Sequence, residues 1–367
     1  MPLVRIDYEK VISHHLKNLE KLREPSGLFL ASPKNVSTGY DKAWLRDNFY
    51  ECLAFEYVGR WDVVKTTYRA ILNIFLKHEA KIDAAIQQKP QHSFEYIHPR
   101  YNPKTFEEFW EEWGNKQHDA IGAILFRIGE LEQHEGMSII ETPADKRIIQ
   151  KLVDYLQSVE YWIDPDNGVW EEAEEIHASS VGACVAGLKK IANLDFIDVN
   201  PQLIQRGEEM LRKLLPRESE KKFADLALLS LIYPYNIVTE EERDAILDNV
   251  EYHLVKDLGV LRYKNDMYYN KDQVDNVSQE AEWTFGLSWM AIIYERMGNK
   301  PKAEEYIRKA MATVDSVGNI PELYYSHSEV HNENSPLGWS ESMFVVGMFL
   351  FYQKYIQPEE ELLPALH

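Results

Sequence analysis

Apolar residues recur at helical spacing through most of the chain, in runs of about 13 to 20 residues separated by loops that hold the glycines, prolines and asparagines. Alternation of the strand kind is scarce. The pattern predicts helices over roughly 7–23, 43–58, 60–79, 116–134, 143–162, 176–192, 200–215, 222–232, 239–255, 280–297, 300–314 and 338–355, about twelve in all. Their faces alternate in character. The 143–162 segment carries Ile148, Ile149, Leu152, Val153, Leu156 and Val159 on one stripe and charged or amide side chains opposite, as a helix with one wetted face does. The next, from Ser179 to Leu188, is small and apolar nearly all round. Likewise the 300–314 segment is half charged, whereas 280–297 and 338–355 carry Trp, Phe, Met, Val and Ile on every face. A polar-sided helix followed by a buried one, several times over, describes helical hairpins with an outer and an inner member.

The long, aromatic-rich loops fall before the buried members, ahead of Trp44, Gln117, His177, Glu280 and Gly338, and the connections back to the outer helices are mostly short. With the inner helices arranged in a ring, these loops emerge at one end of it. Polar and aromatic residues far apart in the chain then converge on one mouth. No exact repeat, low-complexity stretch or Gly/Ser/Pro-rich linker interrupts the sequence, which predicts one domain over 1–367.

Composition narrows the function. Sixty acidic against forty basic side chains give a formal charge of -20, which repels phosphate backbones and argues against a nucleic-acid partner. A neutral or cationic small molecule suits it better. Only Cys52 and Cys184 are present, both among apolar residues of predicted helices, so buried free thiols in a reducing compartment are expected. The N-terminal stretch MPLVRIDYEKVISHHLKNLEKL lacks an uninterrupted apolar core and a small-residue cleavage site, and so predicts an amphipathic helix. The longest apolar run, Met343 to Tyr352, is too short to span a bilayer. A cytoplasmic protein with no membrane association is expected.

Candidate chemistry concentrates in Asp164 to Ser180, DPDNGVWEEAEEIHASS. Asp166-Asn167-Gly168 is turn chemistry, and His177 opens the helix of small residues. Between them stand Trp170, Glu171 and Glu172. A carboxylic acid held against an indole in a cleft loses hydration of its charged form, so it can stay protonated as a general acid. A solvated acidic loop is the plain alternative, since Glu174 and Glu175 follow at once. Five further patches have the same make-up: Trp44-Leu-Arg46-Asp47; Trp113 through Gln117, His118 and Asp119; Arg262 through Asp266 to Tyr269; Glu280-Ala-Glu-Trp283; and Pro321-Glu322-Leu-Tyr-Tyr325 with Ser335 to Trp339 after it. Each pairs a flat aromatic with hydrogen-bonding groups. Sugars need that pairing, because ring C–H faces lie on aromatic surfaces while hydroxyls demand placed donors and acceptors.

WLRD, WGNKQHDA, the WEE loop, RYKNDMYYN with EAEW, and PELYY followed by PLGWSES resemble, in order, the motif set of glycoside hydrolase family 15, the glucoamylase family, and of the related N-terminal domain of phosphorylase kinase regulatory subunits. The likeness runs from about residue 40 to about 350. It implies an all-α, six-hairpin (α/α)6 toroid, in agreement with the helix count and alternation above. It also implies inverting hydrolysis of terminal α-linked glucose. The acid then falls on Glu171, the base on Glu322, and their carboxyls stand roughly 6.5 to 9.5 Å apart to admit a water. The resemblance further implies that Arg46, Asp47, Asp119, Glu172, Arg262 and Asp266 bind sugar hydroxyls, that Trp113 is a stacking platform, and that Trp44 and Trp283 also contact substrate. PELYY and the His-Ala-Ser-Ser-Val-Gly run stand closer to the kinase-subunit version. A non-catalytic carbohydrate-binding or regulatory module is therefore the second reading.

Other chemistry lacks its spacing. Asp164-Pro-Asp-Asn-Gly168 places its glycine one position early for a calcium loop and has no closing glutamate. HExxH, paired CxxC and a glycine-rich loop after a strand are all missing from the sequence, so no metal or cofactor is expected. His118 and His177 are expected to serve as core or rim hydrogen-bonding groups, and Glu329 and Glu333 as solvated loop carboxylates.

Overall fold

The computed structural model describes residue 3 and residues 6–111, 114–269 and 280–358. Thirteen α-helices lie among them: α1 (Tyr8–Leu22), α2 (Leu45–Tyr57), α3 (Trp61–Lys77), α4 (Glu79–Gln87), α5 (His118–Leu131), α6 (Pro143–Val159), α7 (Ala178–Ile191), α8 (Pro201–Leu214), α9 (Leu229–Ile232), α10 (Glu240–His253), α11 (Phe285–Arg296), α12 (Lys300–Ala312) and α13 (Gly338–Phe351). Four two-residue strands, β1 (Ala43–Trp44), β2 (Arg100–Tyr101), β3 (Glu282–Trp283) and β4 (Leu323–Tyr324), form two antiparallel pairs, β1 with β2 and β3 with β4.

The inner ring closes on itself: α2 packs on α5, α5 on α7, α7 on α9, α9 on α11, α11 on α13, and α13 back on α2. Outside it stand α1, α3, α6, α8, α10 and α12, each packed against an inner helix. This is a six-hairpin (α/α)6 toroid. Its tightest seam is between α5 and α7, where a Cβ on Gly122 would meet the Ala183 carbonyl carbon at 2.4 Å and one on Gly187 would meet the Gly122 oxygen at 2.4 Å. The backbones touch there.

Helix starts differ between the two layers. Five of the six outer helices begin on their own side-chain caps, Asp7 for α1, Thr142 for α6, Asn200 for α8, Thr239 for α10 and Asn299 for α12, while α3 starts uncapped at Arg60. The inner helices α2, α5, α7, α11 and α13 carry no such cap. Loops take over their first amides. The Leu45 N–H donates to the Pro99 oxygen, His118 N–H to Asp166, Ala178 N–H to the Glu218 oxygen and Gly338 N–H to the Ala31 oxygen. The mouth loops are thereby tied to the ring they cover.

Three differences from the sequence-based expectation have physical causes. The helix expected over 43–58 begins at Leu45 because Ala43 and Trp44 pair with Tyr101 and Arg100, and that expected over 280–297 begins at Phe285 because Glu282 and Trp283 pair with Tyr324 and Leu323. The helix expected over 222–232 shrinks to a short turn and α9. Asp225 is held extended, bridged to Tyr263, and its carboxylate takes the Ala227 N–H and the Trp170 indole N–H. Finally, α4 was not foreseen: the helix ending at Lys77 breaks at His78, whose ring bonds the Phe106 carbonyl, and restarts at Glu79. Among the described residues no helix is long and apolar enough to cross a membrane.

Candidate active site

The loop between α6 and α7 is pinned at both sides. Asp166 and Glu175 bridge each other's backbones, Asp166 bonds the His177 ring at 2.9 Å, and Asn167 exchanges hydrogen bonds with Lys116 at 2.7 and 3.0 Å. Gly168 supplies the left-handed turn at φ 65°, and Glu171 adopts φ 61°, a conformation that side chains other than glycine take only under constraint. That kink sends the two neighbouring glutamates different ways. Glu171 Oε1 accepts from Trp44 Nε1 at 2.7 Å, Gln117 Nε2 at 2.9 Å and Arg46 Nη2 at 3.3 Å. Glu172 instead accepts from Arg262 Nη2 at 2.8 Å, Tyr263 Oη at 2.7 Å and Lys222 Nζ at 3.1 Å. Burial pushes its pKa up, but the Arg262 and Lys222 charges win and hold it below the ordinary carboxylate range. The indole that bonds Glu171 is thus Trp44's, while Trp170 turns its N–H to Asp225 at 2.9 Å.

Glu322 sits just ahead of β4, buried at the pocket wall. Its Oε2 accepts from Asn332 Nδ2 at 2.6 Å and Asn334 Nδ2 at 2.7 Å, and Tyr40 lines the same pocket near it. Burial raises its pKa, against these donors, which favour the ionised form.

Two arginines complete the polar frame. Arg46, in the first turn of α2, donates from Nη1 to Gln117 at 2.9 Å and to Asp119 at 3.0 Å, so Asp119 stands behind the arginine and does not line the pocket. Arg262 is gripped by Asp266 at 2.7 and 2.8 Å and lies over the rings of Trp283 and Tyr268, each 4.8 Å from its guanidinium carbon. Asp266, fully buried, likewise holds its arginine from behind. Trp44 and Trp283 line the pocket directly, whereas Trp113 lies outside the described residues.

These groups surround one pocket with an empty volume of about 500 Å³ counting its open mouth. Glu171 and Glu322 both line it, together with Tyr40, Asp47, Arg46 and Arg262, over a floor of Trp170, Phe285 and Trp339. Phe285 and Trp339 stack at 4.6 Å. The buried indole N–H groups of Trp283 and Trp339 find no acceptor among the described residues. Asp47 is pushed up to about 7, first by burial and then by the charges of Glu171 and Glu322, with Arg46 opposing. Three carboxyl groups therefore share one small cavity with two guanidinium groups. Sequence reasoning missed Tyr40, Asn332 and Asn334. Tyr40 stands four residues before Trp44, and the asparagines lie in HNEN between two recognised motifs, so the only available signal was proximity.

The sequence profile of glycosyl hydrolases family 15 matches residues 9–254, more than half of the chain. A probable phosphorylase b kinase regulatory subunit alpha from Drosophila melanogaster is 26% identical over an alignment covering 95% of this chain and 32% of that one, so this chain spans about a third of that relative's length. A wild-type glycosidase structure superposes with a TM-score of 0.79 at 19% identity, covering 94% of this chain and 96% of the other. The glucoamylase from Saccharomycopsis fibuligera superposes with a TM-score of 0.70 at 12% identity, covering 97% of each chain.

Proposed function

The chain belongs to glycosyl hydrolases family 15, and on that premise we propose that it is an exo-acting α-glucoside hydrolase that releases glucose with inversion at the anomeric carbon. Glu171 donates its proton to the glycosidic oxygen as that oxygen leaves C1 with the bonding electrons. Glu322 takes a proton from the water whose oxygen attacks C1 from the opposite face. Oε1 of Glu171 accepts hydrogen bonds from Trp44, Gln117 and Arg46, which fix the carboxyl group in the pocket. Oε2 of Glu322 accepts two amides, which turns Oε1 to the water. Positive charge growing on the sugar ring is met by Asp47 and the ionised Glu322. Arg46, Arg262 and the free indole N–H groups of Trp283 and Trp339 are left to bind hydroxyls.

What supports the reading is that two glutamates, remote in the sequence, line one aromatic pocket in different chemical settings. Incubation with maltose, maltooligosaccharides, isomaltose and trehalose, followed by assay of free glucose, tests it. The likeness to a protein named as a kinase regulatory subunit favours a second reading, a non-catalytic carbohydrate-binding module. Absence of glucose from all four substrates, with sugar binding intact, selects that module. The buried free thiols of Cys52 and Cys184 support a reducing compartment such as the cytoplasm for either reading.

A further inference from the structure

The sequence PLGWSES gives the pocket its Trp339, yet the Ser340 and Glu341 that follow do not line it and take no part in the proposed chemistry. Both are fully buried in the first turn of α13. A polar side chain buried so deeply is costly unless it is bonded. The partners of these two lie in Ile320 to Glu322, the segment that carries the general base.

Both backbone groups of Ile320 are held from the start of α13: its N–H donates to Glu341 Oε1 at 2.9 Å, and its carbonyl accepts from the Leu337 N–H at 3.0 Å. Pro321 has no N–H, and its carbonyl accepts the Thr284 hydroxyl at 2.6 Å. Since the one proton of that hydroxyl lies there, Ser340 is the donor in the 2.9 Å contact between the two hydroxyls. The Glu322 N–H donates to the Asn334 oxygen at 2.9 Å, and the Glu322 carbonyl accepts the Thr284 N–H at 3.1 Å. Every polar backbone group from Ile320 to Glu322 is thus bonded, and the base stands on a fixed backbone.

Glu341 is itself fixed from α1. Its Oε1 also accepts from Asn18 Nδ2 at 3.2 Å, and its Oε2 meets His15 Nδ1 at 2.5 Å. Asn18 Nδ2 and His14 Nε2 reach the Gly318 oxygen at 3.2 and 2.6 Å, two residues ahead of Ile320. An outer helix is thereby tied through one buried carboxyl group to the segment that bears the base. We propose that Glu341 is a positioning residue for Glu322: it holds the Ile320 peptide so that the base carboxyl keeps its place across the pocket from Glu171. The proposal rests on the hydrolase reading and adds to it a residue that acts without touching the sugar.

The test compares Glu341→Ala with Glu341→Gln on maltose. Gln keeps an oxygen for the Ile320 N–H and offers an amide to His15, whereas Ala leaves that N–H bare. In Glu341→Ala, kcat is expected to fall about a hundredfold, the order of a displacement of about 1 Å at a reacting group, with KM within about twofold of the parent. The acid limb of the kcat/KM profile is expected to move up as the Asn332 and Asn334 amides lose their hold on Glu322. Glu341→Gln recovers most of kcat and returns the limb. A purely scaffolding residue changes only the amount of folded protein, which scales kcat and leaves the limb in place, so an unmoved limb or equal loss in both variants overturns the proposal. Where Glu341→Ala does not fold, Glu341→Asp, which draws the carboxyl group back from Ile320, is read by the same criteria. A parent protein that releases no glucose ends the hydrolase reading by itself, and hydrogen exchange then decides whether Glu341 holds the segment. Amides of 320–322 that exchange about tenfold faster in the variant, with α5 and α7 at parent rates, support it; faster exchange throughout the chain, or no change, overturns it.

Discussion

Asn334 Nδ2 donates to Glu322 Oε2 at 2.7 Å, while its own Oδ1 accepts from Thr38 at 2.6 Å. The amide is thus oriented before it meets the carboxylate. Because donors favour the ionised form, removing this one raises the Glu322 pKa further above the ordinary value. The base must be ionised, so activity falls as pH drops through that pKa. In Asn334→Ala the acid limb of the kcat/KM profile is expected to move up by about one pH unit, the order of one lost charge-assisted bond. An acid limb left in place would remove the positioning role.

Glu171→Gln keeps shape and loses the transferable proton. A fall in kcat of roughly a thousandfold is expected, with maltose binding retained, as for loss of a general acid. Turnover near the parent rate would refute the acid assignment. Anomer-resolved NMR of the first product from the parent protein should show β-glucose, and α-glucose would contradict inversion.

Asp266 is the buried counter-charge of Arg262. Asp266→Ala leaves the buried guanidinium with Glu172 as its remaining carboxylate partner and is expected to cost about 1–3 kcal/mol in denaturant unfolding. Loss near zero would mean that Glu172 and the stacked rings suffice to hold the arginine.

Gly122→Ala drives a methyl into the α7 backbone at Ala183, where the gap is 2.4 Å. Neither side is a flexible side-chain end, so the helices must part, and a loss of about 1–3 kcal/mol or more is expected. Thermal unfolding measures it.

Glu218 is buried and raised to about 8, first by burial and then by Asp225, while His177 and Ser179 oppose the rise. Its folded pKa lies above its unfolded value of about 4.3. Its contribution to stability is therefore full below that unfolded value and lost as pH rises through 8. Glu218→Gln cannot titrate and should lose less Tm than the parent between pH 5 and 9. An identical slope in both proteins would exclude Glu218 as the titrating group.

Much of this architecture is legible in residue order because helices are local. Stripes such as Ile148 to Val159 identify an outer helix, and the small run from Ser179 to Leu188 an inner one, without knowledge of any neighbour. The expectation that loops before inner helices share one mouth follows from the alternation alone. Trp44, Arg46, Asp47, Glu171, Arg262, Trp283 and Glu322 were nominated from the sequence and line one pocket. Asp119 and Asp266 were nominated as sugar ligands, yet they lie behind the arginines. A carboxylate beside an arginine reads the same in sequence whether it faces the ligand or the arginine's back.

Sequence alone determined the helical hairpins, their alternation and the residue types gathered at the mouth, since each depends on neighbours a few positions away. Tertiary structure decided the rest: that Glu171 meets Trp44 and Arg46 while Glu172 meets Arg262, and that Asn332 and Asn334 claim one oxygen of Glu322. Those choices depend on a left-handed residue at Glu171 and on loops tied down by the amides of helices distant in the chain. Directions of side chains across a ring are properties of closure, and no local pattern carries them.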